Sequence, residues 1–155
     1  MSDKNQQAGE RAKWLQAEFE AISELSKVLR LHIAHMPSTN IAEWLGGLKL
    51  AYNRLHEHLD RFFADQREGG YLDDILEERP RLERDVTRLR HEQAELSRIA
   101  DSIQRDLDET GPDDRALIAD VCARIQRFMA IVANHAKCEA MLTQLVFNLD
   151  LGAGE

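Results

Sequence analysis

The stretch from Val121 to Val146, VCARIQRFMAIVANHAKCEAMLTQLV, carries an apolar stripe at Val121, Ile125, Phe128, Val132, Leu142 and Val146. Two polar residues, His135 and Glu139, complete the stripe, and its steps alternate four and three. That alternation holds every member on one face of an α-helix. A histidine and a carboxylate four apart there point together into whatever the helix packs against. A buried carboxylate is costly unless it is paired, hydrogen-bonded or bound to metal. The pair therefore reads as a working metal site, the remains of one, or half of a buried hydrogen-bond network.

Three further stripes of the same kind lie upstream. One runs Leu15, Phe19, Ile22, Ser26, Leu29, Ile33. A second runs Ile41, Leu45, Leu48, Tyr52, Leu55, Leu59, Phe62, Gln66. A third runs Leu82, Val86, Leu89, Gln93, Leu96, Ala100, Ile103. The punctuation between them gives four helices. The first is expected from about Glu10 to His35, after a polar tail over about residues 1–9, and is stopped by Pro37. Ser38 to Asn40 offer capping side chains for the second, from about Ile41 to Arg67. Gly69 and Gly70 end it, and Tyr71 to Glu78 reads as a connector of about one helical turn. The acidic run Asp73, Asp74, Glu77, Glu78 is placed to complement the positive end of the third helix, which begins with Pro80 in its first turn and runs to about Asp108. Thr110-Gly111-Pro112-Asp113 breaks the chain, Asp113 or Asp114 can cap the fourth helix, and Gly152 and Gly154 stop it near Asp150. Four helices of similar length with short connections predict an all-α, up-down-up-down four-helix bundle over residues 1–155 as one domain.

Composition supports this and narrows the function. Eight glycines and three prolines in 155 residues, with 31% charged residues, suit long helices. A formal net charge of −8 argues against nucleic acid or an anionic membrane as partner. No apolar run approaches the roughly 20 residues that span a bilayer, and residues 1–10 lack the apolar segment of a secretory signal. Cys122 and Cys138 fall on one predicted helix, about 24 Å apart at about 1.5 Å per residue, too far for an internal disulfide. The expected location is the reducing cytoplasm.

In a bundle, a buried site must be built from stripe positions, and of six histidines only His135 lies on a stripe. His91 falls opposite the line through Leu89, Gln93 and Leu96 and should face solvent. His56 and His58 flank their stripe at boundary positions, usually half exposed, while His32 and His35 suit the negative end of the first helix dipole. In an up-down bundle the second and fourth helices run in the same direction. Gln66 then lies level with Glu139 and Phe62 with His135, with Gln93 within reach. Gln66, Gln93, His135 and Glu139 together would make a mutually satisfied buried network. Trp14 and Trp44 read as packing anchors, and Glu18 and Glu20 as solvated.

Three segments carry a resemblance. Leu55 to Leu72 (LHEHLDRFFADQREGGYL), His135 to Gly154 (HAKCEAMLTQLVFNLDLGAG) and the Trp-Leu run from Trp44 to Leu55 are similar to the hemerythrin-like (HHE cation-binding) domain family, in its bacterial members. That resemblance implies a four-helix bundle holding a di-iron centre between the helices. The family pattern is one His on the first helix, His-x-x-x-Glu on the second, one His on the third, and His-x-x-x-Glu or a close variant on the fourth. Carried over residue by residue, the first-helix His falls on Phe19, the second-helix pair on Phe62 and Gln66, and the third-helix His on Gln93. Only His135 and Glu139 stand as the family has them.

Phe cannot ligate a metal, and Gln brings no charge to offset two divalent ions. Iron in such sites requires several imidazoles and carboxylates. The expectation is therefore a non-enzymatic module, structural, regulatory or protein-interacting, that has lost its di-iron site and needs no cofactor. The alternative is a residual iron or zinc site formed by His135 and Glu139 with His58 as a third ligand, serving oxygen or redox sensing or metal handling. A ferritin-like oxidase is disfavoured, because no histidine here has Glu three positions before it. There is no Gly-rich phosphate loop and no nucleophile motif. The sequence names no protein partner and fixes no oligomeric state.

Overall fold

The computed structural model describes residues 2–153, with side chains for these except 2–5, 8, 71 and 147–153. The described residues form helices joined by short turns, with no strand among them. Four helices are long: α1 (Ser2–Ala34), α2 (Ile41–Gly69), α4 (Glu83–Glu109) and α5 (Arg115–Ala153). Between α2 and α4 lie a short helix, α3 (Tyr71–Glu78), and a 3-10 turn at Pro80–Leu82.

Helix α1 packs against α2 and α5, and α4 packs against the same two. Side-chain pairs fix the directions. Phe19 meets Phe62 and His32 meets Trp44, so α1 and α2 are antiparallel. Tyr52 reaches Ala100 and Gln66 reaches Gln93, so α2 and α4 are antiparallel too. Glu92 meets His135 and Asp106 meets Arg124, which sets α4 against α5 the same way. Across the middle, α2 and α5 run parallel, with Tyr52 at Phe128 and Gln66 at Glu139.

The core follows the four stripes. Leu15, Ile22, Leu29, Leu45, Leu48, Tyr52, Leu55, Leu59, Phe62, Val86, Leu89, Leu96, Ile103, Val121, Ile125, Phe128 and Val132 are all buried, while Phe19, Ile33 and Ile41 are half-buried against them. No helix is long and apolar enough to cross a membrane among the described residues.

Several ends differ from the sequence expectation. Helix α1 begins at Ser2, so the expected tail is helical. Gln6, Gln7 and Ala8 are good helix formers, and one interior glycine, Gly9, costs only about 1 kcal/mol. Asn40 does precede α2, but with φ 60 and no hydrogen bond from its side chain to the helix. Asn tolerates that left-handed backbone, and the first turn is closed instead by Trp44 N–H donating to Asn40 O. The connector is a full eight-residue helix, because Gly70 at φ 63 closes α2 and lets α3 start at once, burying Leu72 and Ile75. The acidic run does not serve the start of α4: Asp73 pairs with Arg90 and Asp74 with Arg11. Pro80 opens the 3-10 turn rather than α4 itself. Asp114 turns its carboxylate back onto Gly111 N–H at 3.0 Å, while its carbonyl accepts from Ile118 N–H at 2.9 Å. Helix α5 passes Gly152 and continues to Ala153. Gly154 and the Asp150 side chain lie outside what is described.

The α1–α2 turn is locked by a reciprocal pair. Trp44 Nε1–H donates to His32 O at 2.9 Å, His32 Nε2 lies 2.8 Å from Trp44 O, and the rings stack at 5.3 Å. Gly47 makes room for this: a Cβ there would lie 2.6 Å from His32 Cε1.

Candidate functional site: a buried polar layer between α2, α4 and α5

Because the stripes face one another, their polar members meet in one layer. Glu139 is 1% exposed, His135 and Gln66 3%, and Gln93 6%. Gln66 Nε2 donates to Glu139 Oε1. Gln93 Nε2 donates to Gln66 Oε1 at 2.6 Å. The Gln66 amide is therefore oriented by both neighbours, with its oxygen towards α4 and its nitrogen towards α5. A chain of hydrogen bonds crosses the core from α4 through α2 to α5, satisfying groups that would otherwise be expensive to bury.

His135 joins this layer differently from expectation. Its Nδ1 lies 2.6 Å from Glu92 Oε1, and its Nε2 faces Glu139 Oε2 at 3.4 Å. Nε2 and Oε2 are outside hydrogen-bond geometry, and neither has another partner among the described residues. Burial pulls the His135 pKa down, but the close charge of Glu139 and the hydrogen-bonded charge of Glu92 outweigh it and the net shift is upward. Glu92, next in sequence to Gln93, lies off the stripe of α4, and its role was missed. The signal for it was weak: a half-exposed carboxylate beside an inward Gln becomes a partner only once the α4–α5 register is known.

Apolar rings fill the rest of the layer. Phe62 is buried, stacks on half-buried Phe19 at 5.6 Å and meets Trp14 at 5.5 Å and Phe63 at 5.7 Å. Phe63 stands edge-on to the His135 ring at 6.0 Å. Trp14 thus packs on the aromatic group from well inside α1, as a packing anchor. On the open side, a pocket of about 370 Å³ reaches Gln66 and Gln93 and is flanked by Arg67, Arg90 and Asp73.

The remaining histidines sort as follows. His91 is exposed and Gln93 faces inward, the register read from the sequence. His58 is half-buried, and its Nε2 lies 2.8 Å from Glu18 Oε2 on α1, so Glu18 is engaged rather than solvated. The structure does not gather His58 with His135 and Glu139. Among the described residues, the one group of three His, Cys, Asp or Glu side chains within common ligating reach is His56, Asp60 and Asp101. His56 is itself buried, not half exposed. Cys122 is half-buried, Cys138 is exposed, and both are free.

The fit of a di-iron centre can be judged from the donor set. His135 and Glu139 supply one imidazole and one carboxylate, and the facing positions hold Phe19, Phe62, Gln66 and Gln93. The two glutamines are already committed to each other and to Glu139. Such a set does not fit two iron ions, which need several charged ligands. What the layer does chemically is clamp three helices through one amide chain and the contacts of His135 with two carboxylates, Glu92 and Glu139. Comparison with family models, curated proteins and solved structures finds no match to this chain.

Proposed function

We propose that the chain is a hemerythrin-like four-helix bundle domain that has lost its di-iron site and serves as a non-catalytic structural, regulatory or protein-interaction module. One observation carries this reading: Glu139, a carboxylate in the position of a family ligand, is answered by the amide of Gln66, itself held by Gln93. An amide N–H donating to a carboxylate satisfies a buried acid through a charge-assisted hydrogen bond, with no metal ion needed. Phe19 and Phe62 supply apolar volume where imidazoles would stand, which supports the same reading.

A second reading rests on a separate observation. His135 Nε2 and Glu139 Oε2 face each other at 3.4 Å, without a hydrogen-bond partner among the described residues. That separation suits two ligands of one iron or zinc ion with bonds of about 2.0–2.2 Å. No third charged donor joins them among the described residues.

Elemental analysis distinguishes the two, on tag-free protein expressed with added iron and zinc, alongside His135→Gln. The first reading expects no metal that depends on His135. An equivalent of metal lost in His135→Gln would establish the second, and two of iron would overturn the ligand correspondence altogether.

A further inference from the structure

We propose that His56, Asp60 and Asp101 form a binding site for one divalent transition-metal ion of the zinc class, on the α2–α4 face and separate from the buried layer. His56 and Asp60 are one turn apart on α2, and Asp101 comes from antiparallel α4. His56 Nε2 lies 2.9 Å from Asp101 Oδ1 and 3.4 Å from Asp60 Oδ2. One donor atom from each of the three falls within 4.8 Å of the others. Ligands of a tetrahedral ion with bonds of about 2.0–2.2 Å sit about 3.4 Å apart, so small side-chain adjustments complete the geometry.

The tautomer of His56 is set from outside the cluster. Gln104 Nε2 donates to Asp108 Oδ1 at 2.9 Å, so the oxygen of that amide is the atom facing His56 Nδ1, at 3.1 Å. An amide oxygen only accepts, so Nδ1 carries the ring proton. In the neutral ring the Nε2 lone pair is then directed at two carboxylates. Three acceptors meet there, and a cation between them relieves the repulsion. A ligating histidine whose other nitrogen is anchored by an oxygen acceptor is the usual arrangement at protein-bound metals.

The ring is also held in place before any ion arrives. His56 is buried and stacks on Tyr52 at 5.8 Å, and Tyr52 O–H donates to Ala100 O at 2.7 Å. The Asp60 and Asp101 side chains are 54% and 63% exposed, leaving an entry path and positions for water. Two carboxylates offset a 2+ charge. One imidazole with two carboxylates suits zinc, or iron(II) or manganese, better than calcium, which takes oxygen ligands throughout. The competing occupant is a proton, which would make His56 an imidazolium bridging the two aspartates.

Calorimetric titration of Zn²⁺ into the full-length, tag-free protein separates metal from proton. The expected result is one ion per chain, with affinity reduced more than about tenfold in Asp60→Asn and in Asp101→Asn. Both substitutions are at exposed positions and leave the core intact. Gln104→Leu, which removes the oxygen holding the ring, is expected to weaken binding about tenfold, and His135→Gln to leave it unchanged. No binding by the wild-type chain overturns the site. Binding that both aspartate variants retain overturns it as well. If that retained binding is lost in His135→Gln, the ion belongs to the buried layer and the second reading above gains instead.

Discussion

His135 Nδ1 on α5 lies 2.6 Å from Glu92 Oε1 on α4, so the most buried histidine of the chain is held between two carboxylates, Glu92 and Glu139. Burial disfavours the imidazolium, yet the two acids outweigh it and the pKa lies above the ordinary 6.5. A folded value above the unfolded one means the contribution to stability is complete below about pH 6.5 and is lost as pH rises through the folded value. The unfolding free energy of the wild type should therefore decline from neutral to mildly alkaline pH more steeply than that of His135→Gln. The difference between the two urea-denaturation curves isolates His135 and is the quantity to follow. Parallel curves would remove the charged pair from the account.

Gln66 both donates to Glu139 and accepts from Gln93, so Gln66→Leu orphans two buried groups at once. Each orphan costs about 1–3 kcal/mol. The double variant Gln66→Leu/Glu139→Met removes the buried charge as well as its donor. It should recover much of that loss, since apolar replacement of a buried polar pair is often close to neutral. Chemical denaturation of the two singles and the double closes the cycle. Additive losses would mean that the two side chains are not coupled.

The stripes made the inward faces legible from sequence, Gln66, Gln93, His135 and Glu139 among them, because a repeat of alternating three and four leaves one face to bury. The orientation of His91 and Gln93 followed from the same 100° geometry. Helix ends were less legible. Residues 1–9 read as a polar tail and Gly152 as a stop, yet a lone glycine is a small penalty inside a long helix and stops one only when it takes a positive φ, as Gly70 does. Glu92, Gln104 and Asp101 escaped for another reason. They act across α2–α4 and α4–α5 contacts, and no single-helix pattern encodes which off-stripe residues two helices bring together.

Gly47 is tied to the α1–α2 turn by clearance alone. A Cβ would lie 2.6 Å from His32 Cε1, and the ring cannot retreat without leaving Trp44. Gly47→Ala should cost about 1–3 kcal/mol through this overpacking and alter the near-ultraviolet circular dichroism of Trp44. Adding His32→Ala should restore part of the stability but not the spectrum. A single Gly47→Ala variant with unchanged stability and spectrum would show that the ring has another place to go.

The two cysteines should differ in reactivity. Burial pushes the Cys122 thiol pKa up, which lowers its thiolate fraction, whereas Cys138 is exposed. Thiol labelling of the native protein should show one fast phase, abolished by Cys138→Ser, and a slow phase from Cys122 that becomes fast in denaturant. Two equal fast phases would mean that α5 opens locally near Cys122.

The proposed loss of the metal centre can be tested by reversing it. Phe19→His, Phe62→His, Gln66→Glu and Gln93→His restore an imidazole or carboxylate at each substituted position, around His135 and Glu139. Without metal the quadruple variant should be markedly less stable than the wild type, because it replaces the Phe19–Phe62 ring stack and buries extra charge. Iron should offset this, since a ligand that binds only the folded state stabilises it in proportion to its occupancy. Expressed with iron, the variant should retain a pair of iron ions per chain, and its melting temperature should fall on chelation. The wild type should show no iron that depends on His135. A folded quadruple variant that takes up no iron would mean that these positions do not converge as ligands, and the correspondence on which the proposal rests would fail.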